Sequence, residues 1–168
     1  MSDTVRCEIG PDAVARLTLD QPNSRANTLH RAVWEQLAAA CATLIGRRDL
    51  RGLIVQSAKP GIFIAGADLR EIALLPQNDP EPTRALVRRG RDLLAALESM
   101  PFPTIALIDG AALGGGFEVA LACDYRLAGD NPKIKIDSFE VRVEGDEIQV
   151  RVPPKPISFP QGNSTGDT

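Results

Sequence analysis

Histidine is almost absent from this chain: His30 is the only one in 168 residues. One imidazole cannot build a His-based metal site, and no metal is expected. Cysteine is scarce and odd in number, with Cys7, Cys41 and Cys123 at wide, unpatterned spacings. Each follows or sits in an apolar run, so reduced, buried thiols of a cytosolic protein are expected. Neither charge sign dominates: 19 Lys and Arg face 22 Asp and Glu, a net charge of −3 with the cations scattered. That excludes the electrostatic footprint of a nucleic-acid or membrane-surface binder. No apolar run approaches the length needed to span a bilayer. The opening "MSDTVRCEIGPD" has neither the basic-then-apolar form of a secretory signal nor the Arg-rich form of a transit peptide. A soluble cytoplasmic protein is the expectation, with no nucleic-acid partner and no membrane insertion.

What is present is ordinary for a globular domain: 43% apolar and 24% charged residues. Residues 13–19, "AVARLTL", alternate and read as a strand, and "DQPNSRAN" after them is turn chemistry. Thr28 offers an N-cap oxygen, and Leu29, Val33, Leu37, Ala40, Cys41 and Leu44 recur at helical spacing up to Ile45, with Gly46 closing the helix. "GLIVQSA" (52–58) is a compact buried strand. "GIFIAGADLREI" (61–72) passes from an apolar run through Ala65-Gly66-Ala67 into a short helix opened by Asp68. A loop, an amphipathic helix over 83–98, a strand over 104–109 and a helix opening at 116 follow. Strand and helix alternate, which predicts an α/β fold with parallel neighbours.

The pattern changes after residue 136. Phe139, Val141 and Val143, then Ile148, Val150 and Val152, recur at a period of two around "EGDE". That predicts a β-hairpin with one apolar and one charged face. The division expected is a core over 1–136, a hairpin over 137–153 and a Pro-, Gly- and Ser-rich terminus over 154–168.

Gly114-Gly115-Gly116 stands between a strand and a helix, where phosphate loops occur. The dinucleotide fingerprint fails because position 119 is Val, and a P-loop fails because Phe117-Glu118 stand where Lys and Ser or Thr are needed. A carboxylate there also repels phosphate. What remains is a set of helix-opening N–H groups with no intrahelical partner, suited to an anion or a developing oxyanion. Close helix–strand packing explains the same glycines equally well. "FIAGADL" has the same form, so each turn can contribute one N–H to a shared hole. Glu118 lies in the first helical turn between Phe117 and Val119; burial would raise its pKa and suit acid–base work. The simpler role is a Glu that complements the helix dipole.

"GIFIAGADLREI" together with "IDGAALGGGFEVALACDYRLAGD" resembles the crotonase superfamily of enoyl-CoA hydratases and isomerases. The likeness is greatest to the hydratase part of bifunctional enoyl-CoA hydratase/3-hydroxyacyl-CoA dehydrogenases. It runs from about residue 10 to about 136 and includes "LDQPNSRANTLHRAVWEQL". The resemblance implies ββα repeats forming a mostly parallel sheet with flanking helices, here truncated and followed by the hairpin. It implies hydration of 2-trans-enoyl-CoA in fatty-acid β-oxidation, with the thioester oxygen held by the amides of Ala67 and Gly115. Glu118 matches the first family glutamate. Arg25, Ala26 and Asn27, with Ala65, Gly66, Ala67, Asp68, Leu69, Gly114 and Gly115, match the acyl-CoA-binding positions. Coenzyme A enters as part of the substrate and no separate cofactor is implied; a homotrimer is.

Counting places Glu140 at the second family glutamate, with Val141 also matching. Asp137, Ser138 and Phe139 replace the Gly-Leu-Pro that precedes it in the family, and the glycine-rich stretch after it has no counterpart. Glu140 equally fits the polar face of a hairpin strand. Three activities therefore stay open: hydration, isomerisation of 3-enoyl-CoA, and a non-catalytic acyl-CoA-binding or oligomerisation module.

Overall fold

The computed structural model describes residues 4–129 and the backbone of two further strands at 140–144 and 147–151. Two compact units result, Met1–Ile136 and Asp137–Thr168. In the first, β1 (Val5–Ile9) and β2 (Val14–Leu19) form an antiparallel pair, followed by helix α1 (Arg31–Leu44) and strand β3 (Gly52–Ser57). Then come the short strand β4 (Ile62–Ile64), helices α2 (Leu69–Ala73) and α3 (Glu81–Glu98), and strand β5 (Thr104–Ile108). The two-residue strand β6 (Ala111–Ala112), helix α4 (Gly115–Ala122) and strand β7 (Tyr125–Ala128) complete it. The main sheet runs β1-β2-β3-β5-β7, parallel except for β1, and β4 pairs with β6 in a separate two-stranded sheet. This is the expected mixed α/β architecture.

One face of the main sheet is buried. Along β2 burial alternates, with Ala15, Leu17 and Leu19 fully buried and Val14, Arg16 and Thr18 half-buried. Leu53, Val55, Ala106 and Ile108 extend the apolar face across β3 and β5. It shares one core with Val33, Leu37 and Leu44 of α1, Leu93 and Leu97 of α3, and Val119 and Ala120 of α4. Burying a Leu- or Val-sized side chain stabilises by about 1.5–3 kcal/mol each, so this layer carries most of the fold.

Four local expectations change. Helix α1 begins at Arg31, not Leu29, because Leu29 is drawn into a parallel bridge with Ala67. Thr28 is not its cap; the Thr28 hydroxyl meets the Gln21 Oε1, while the Glu71 carboxylate of α2 accepts from the Arg31 amide. Helix α3 starts two residues early, because Pro82 near its N-terminus has no N–H to lose there. Cys7 is exposed rather than buried, since β1 is the edge strand and all its residues beyond Val5 are exposed. Among the described residues no helix is long and apolar enough to cross a membrane.

In the second unit β8 (Glu140–Glu144) and β9 (Glu147–Arg151) pair antiparallel, with Val141 opposite Val150 and Val143 opposite Ile148. The hairpin read from the period of two is therefore present. Residues 137–139 and 152–168 lie outside the described residues.

Burial pushes the Cys41 thiol up to about 11 and the Cys123 thiol up to about 12. Cys7 is the one exposed thiol of the three. Partial burial and the neighbouring Glu8 raise its pKa, so native labelling by a disulfide reagent is expected at Cys7 alone and should quicken as pH rises. Cys41 and Cys123 should react only after denaturation; fast native labelling of either would show that the core is open there.

Candidate active site

The two glycine turns meet because β4 and β6 are parallel neighbours. Ile62 is level with Ala111 and Ile64 with Ala112, and the Leu113 amide donates to the Ile64 carbonyl at 3.0 Å. Both chains then turn at the same level. Gly66 has φ +97° and Gly114 φ +48°, backbone that L side chains rarely adopt. A Cβ on Gly66 would stand 3.0 Å from the Leu113 carbonyl oxygen, and one on Gly114 3.9 Å from the Gly66 Cα. The turns are in backbone contact.

Gly116 answers to packing instead. A Cβ there would lie 2.4 Å from the Ile64 carbonyl oxygen, so only glycine lets α4 rest directly on β4. The two explanations of the triplet thus apply to different members: Gly116 admits the helix, while Gly114 and Gly115 shape the turn that opens it. The Gly114 carbonyl accepts from the Phe117 and Glu118 amides, and the Leu113 carbonyl accepts from Gly116. Among the described residues the Ala67 and Gly115 amides donate to no protein acceptor. Both residues are only half-buried, so an incoming acceptor can reach them.

Glu118 sits one turn along α4 from Gly115. Its Oε2 lies 3.7 Å from where a Gly115 Cβ would stand, so the carboxylate folds back over the helix start. Among the described residues it has no ion-pair or hydrogen-bond partner. Glu118 is exposed, because α4 turns Gly116, Val119 and Ala120 inward and carries position 118 to the outer side. Leu69 and Leu113, each two residues from one of the two amides, are 76% and 49% exposed. They leave apolar surface beside the turns.

Asp68 caps α2, its carboxylate accepting from the Arg70 amide at 2.9 Å; that hydrogen bond holds its carboxyl below the usual Asp range. Arg25 is exposed and Ala26 half-buried, on the loop leading to Asn27. Asn27, matched by the resemblance to an acyl-CoA-binding position, turns its side chain inward. Its side chain is fully buried, the Nδ2 donating to the Leu19 carbonyl at 3.1 Å and the Ser57 hydroxyl at 2.8 Å, and the Oδ1 accepting from the Gln21 amide at 2.9 Å. Its carbonyl accepts from the Ala65 amide at 2.8 Å. Through its side chain and carbonyl Asn27 therefore ties β2, β3 and the first glycine turn together.

Glu140 is the first residue of β8, in the second unit, and its side chain lies outside the described residues. Sequence reading did not find the scaffolding around Gly115. Leu29 and Trp34 both border it, at 3.0 Å and 3.9 Å from where its Cβ would stand. They sit in a helical apolar pattern that does not distinguish site-facing from core-facing positions. Among the described residues no three His, Cys, Asp or Glu side chains gather where a metal ion could be held.

Residues 10–143 match the enoyl-CoA hydratase/isomerase family model. A curated relative, the fatty acid oxidation complex subunit alpha of Aliivibrio fischeri, is 43% identical over 133 residues, covering 79% of this chain and 19% of that protein. The crystal structure of an enoyl-CoA hydratase from Bacillus anthracis superposes with a TM-score of 0.71 at 32% identity, over 77% of this chain and 49% of its own. An enoyl-CoA hydratase/carnithine racemase from Magnetospirillum magneticum does so at 0.71 and 32%, over 79% and 48%. The chain thus spans about a fifth of the length of such curated relatives and about half of such solved structures.

Two substitutions test the scaffold by urea denaturation. Gly116→Ala drives a Cβ into the Ile64 backbone and should lower stability by about 1–3 kcal/mol. Asn27→Leu strands the Gln21 amide and the Leu19 carbonyl and should cost about 1–3 kcal/mol per group left unpaired. An unchanged midpoint in either variant would contradict the packing described.

Proposed function

The chain belongs to the enoyl-CoA hydratase/isomerase family, and on that premise we propose that it adds water to 2-trans-enoyl-CoA in fatty-acid β-oxidation. The observation that carries this reading is the contact between the two glycine turns, each with an unpartnered amide, beneath a carboxylate without a partner. In this proposal the amides of Ala67 and Gly115 bind the thioester oxygen. Charge develops on that oxygen as the β-carbon is attacked, and two preorganised donors stabilise it. Glu118 removes a proton from water as its oxygen bonds to the β-carbon, and a proton is delivered to the α-carbon. Water is consumed whole: hydroxyl to one carbon, hydrogen to the other. By its position in the family pattern Glu140 is the candidate for the carboxylic acid that supplies the α-carbon proton.

The exposed Leu69 and Leu113 would flank the acyl chain, and the exposed Arg25 guanidinium would meet the anionic nucleotide end of coenzyme A. Coenzyme A arrives with the substrate, and no further cofactor takes part. A homotrimer and a cytoplasmic location belong to the same proposal.

A second reading has one observation in its favour: among the described residues Glu118 is the single carboxylate beside Gly115. One carboxylate suffices to carry a proton from the α-carbon to the γ-carbon of a 3-enoyl thioester, which is isomerisation. A third, binding without turnover, is the outcome if neither substrate reacts.

Loss of enoyl absorbance on incubation with crotonyl-CoA is the expected result. Glu118→Gln should lower kcat by about 10²–10⁴ with thioester affinity unchanged, because proton transfer and not binding is removed. Turnover that survives this change would refute the role of Glu118. Faster conversion of 3-enoyl-CoA than of crotonyl-CoA would favour isomerisation.

A further inference from the structure

The last hydrogen bond shown between the β4 and β6 chains is the one from the Leu113 amide to Ile64. Ala67 and Gly115 both lie beyond it, so strand pairing by itself does not fix one amide relative to the other. Leu29 touches both. Leu29 donates its amide to the Gly66 carbonyl at 2.8 Å and is bridged in parallel to Ala67, which fixes the plane of the 66–67 peptide. Its side chain, 1% exposed, extends to Gly115, with Cδ1 3.0 Å from where a Cβ would stand there.

Resting on the hydratase reading above, we propose that Leu29 is a positioning residue that sets the Ala67 and Gly115 amides relative to each other. Its main chain holds one donor and its δ-carbons form the floor beneath the other. An apolar floor is required, because a polar side chain at that contact would offer the Gly115 amide an acceptor and divert it from the ligand. Reach is required as well. A side chain one carbon shorter keeps the main-chain bridge but leaves a gap under Gly115, into which the first turn of α4 can settle. Trp34, whose Cζ2 stands 3.9 Å from the same point, walls the other side and does not touch Ala67 through its main chain. Leu29 thereby differs from ordinary core leucines: shortening it should alter how strongly a bound carbonyl is polarised, beyond any change in stability.

The test uses the full chain and 3-phenylpropenoyl-CoA, a 2-enoyl thioester whose long-wavelength absorption moves to the red when its carbonyl is polarised. The unsubstituted chain should bind it with a red shift. Leu29→Val, which removes the δ-carbons and keeps the bridge, should bind within about threefold of the same affinity yet lose half or more of the shift, because small displacements of a donor act on charge stabilisation more than on binding. On crotonyl-CoA its kcat should fall at least about tenfold at little changed KM. Leu29→Met restores the reach and should restore shift and rate. Leu17→Val, an equal excision from the sheet core, should leave the shift intact. A full shift in Leu29→Val, or an equal loss in Leu17→Val, would overturn the role given to Leu29. Absence of any shift in the unsubstituted chain would instead overturn the hydratase reading, and with it this inference; the two failures are read on different proteins.

Discussion

The parallel pairing of β4 with β6 is the constraint on which the site depends. It holds only a few residues, yet it brings the ends of two strands level, so that residues 65–68 and 113–116 leave the sheet side by side. The backbones come so close there that side chains have no room: Gly66 abuts the Leu113 carbonyl and Gly116 abuts the Ile64 carbonyl. A place stripped of side chains is where main-chain N–H groups can face a ligand. An amide left unpaired in a dry core would cost about 1–3 kcal/mol. At Ala67 and Gly115 the residues are half-buried, so water can serve until an acceptor arrives.

Such donors are useful only if they are held still, and the surrounding structure is arranged to hold them. Asn27 anchors the first turn through hydrogen bonds to Leu19 of β2, Gln21 just after it, Ser57 of β3, Phe63 of β4 and Ala65 of the turn itself. The second turn is the start of α4, and that helix is tied at its far end as well. Arg126 donates to the Ala120 and Cys123 carbonyls, a cation set against the negative end of the helix dipole. Directly after α4, Asp124 accepts from the Thr104 amide and hydroxyl and so fixes the helix to β5. Both glycine turns are thus mounted on elements whose positions are set by buried contacts rather than by the turns themselves.

Much of the fold was legible in the residue order, because helix and strand periods are local. The strands over 52–57 and 104–108, the amphipathic α3 and the glycine-to-helix steps all follow from patterns within a dozen residues. Three strands were not legible. β6 is two residues long, β7 is half-buried throughout and shows no alternation, and β1 carries Arg6 and Glu8 at a sheet edge. The start of α1 was misplaced for a related reason. Leu29 satisfies the helical period, but a strand-like bridge to Ala67, thirty-eight positions along the chain, claims its backbone first.

The sequence alone set the order of elements, the two glycine turns each opening a helix, and the carboxylate of Glu118 one helical turn beyond Gly115. These depend on backbone sterics and periodicity, which act between neighbours. Only the tertiary structure decided that the turns touch, that Asn27 faces inward as a tie, that Glu118 stands exposed, and that Leu29 borders both amides. Those outcomes rest on contacts between residues thirty to ninety positions apart, as in Asn27 with Ser57 and Leu29 with Gly115. No local rule fixes them, because the register of one strand against another is chosen by the whole packed core at once.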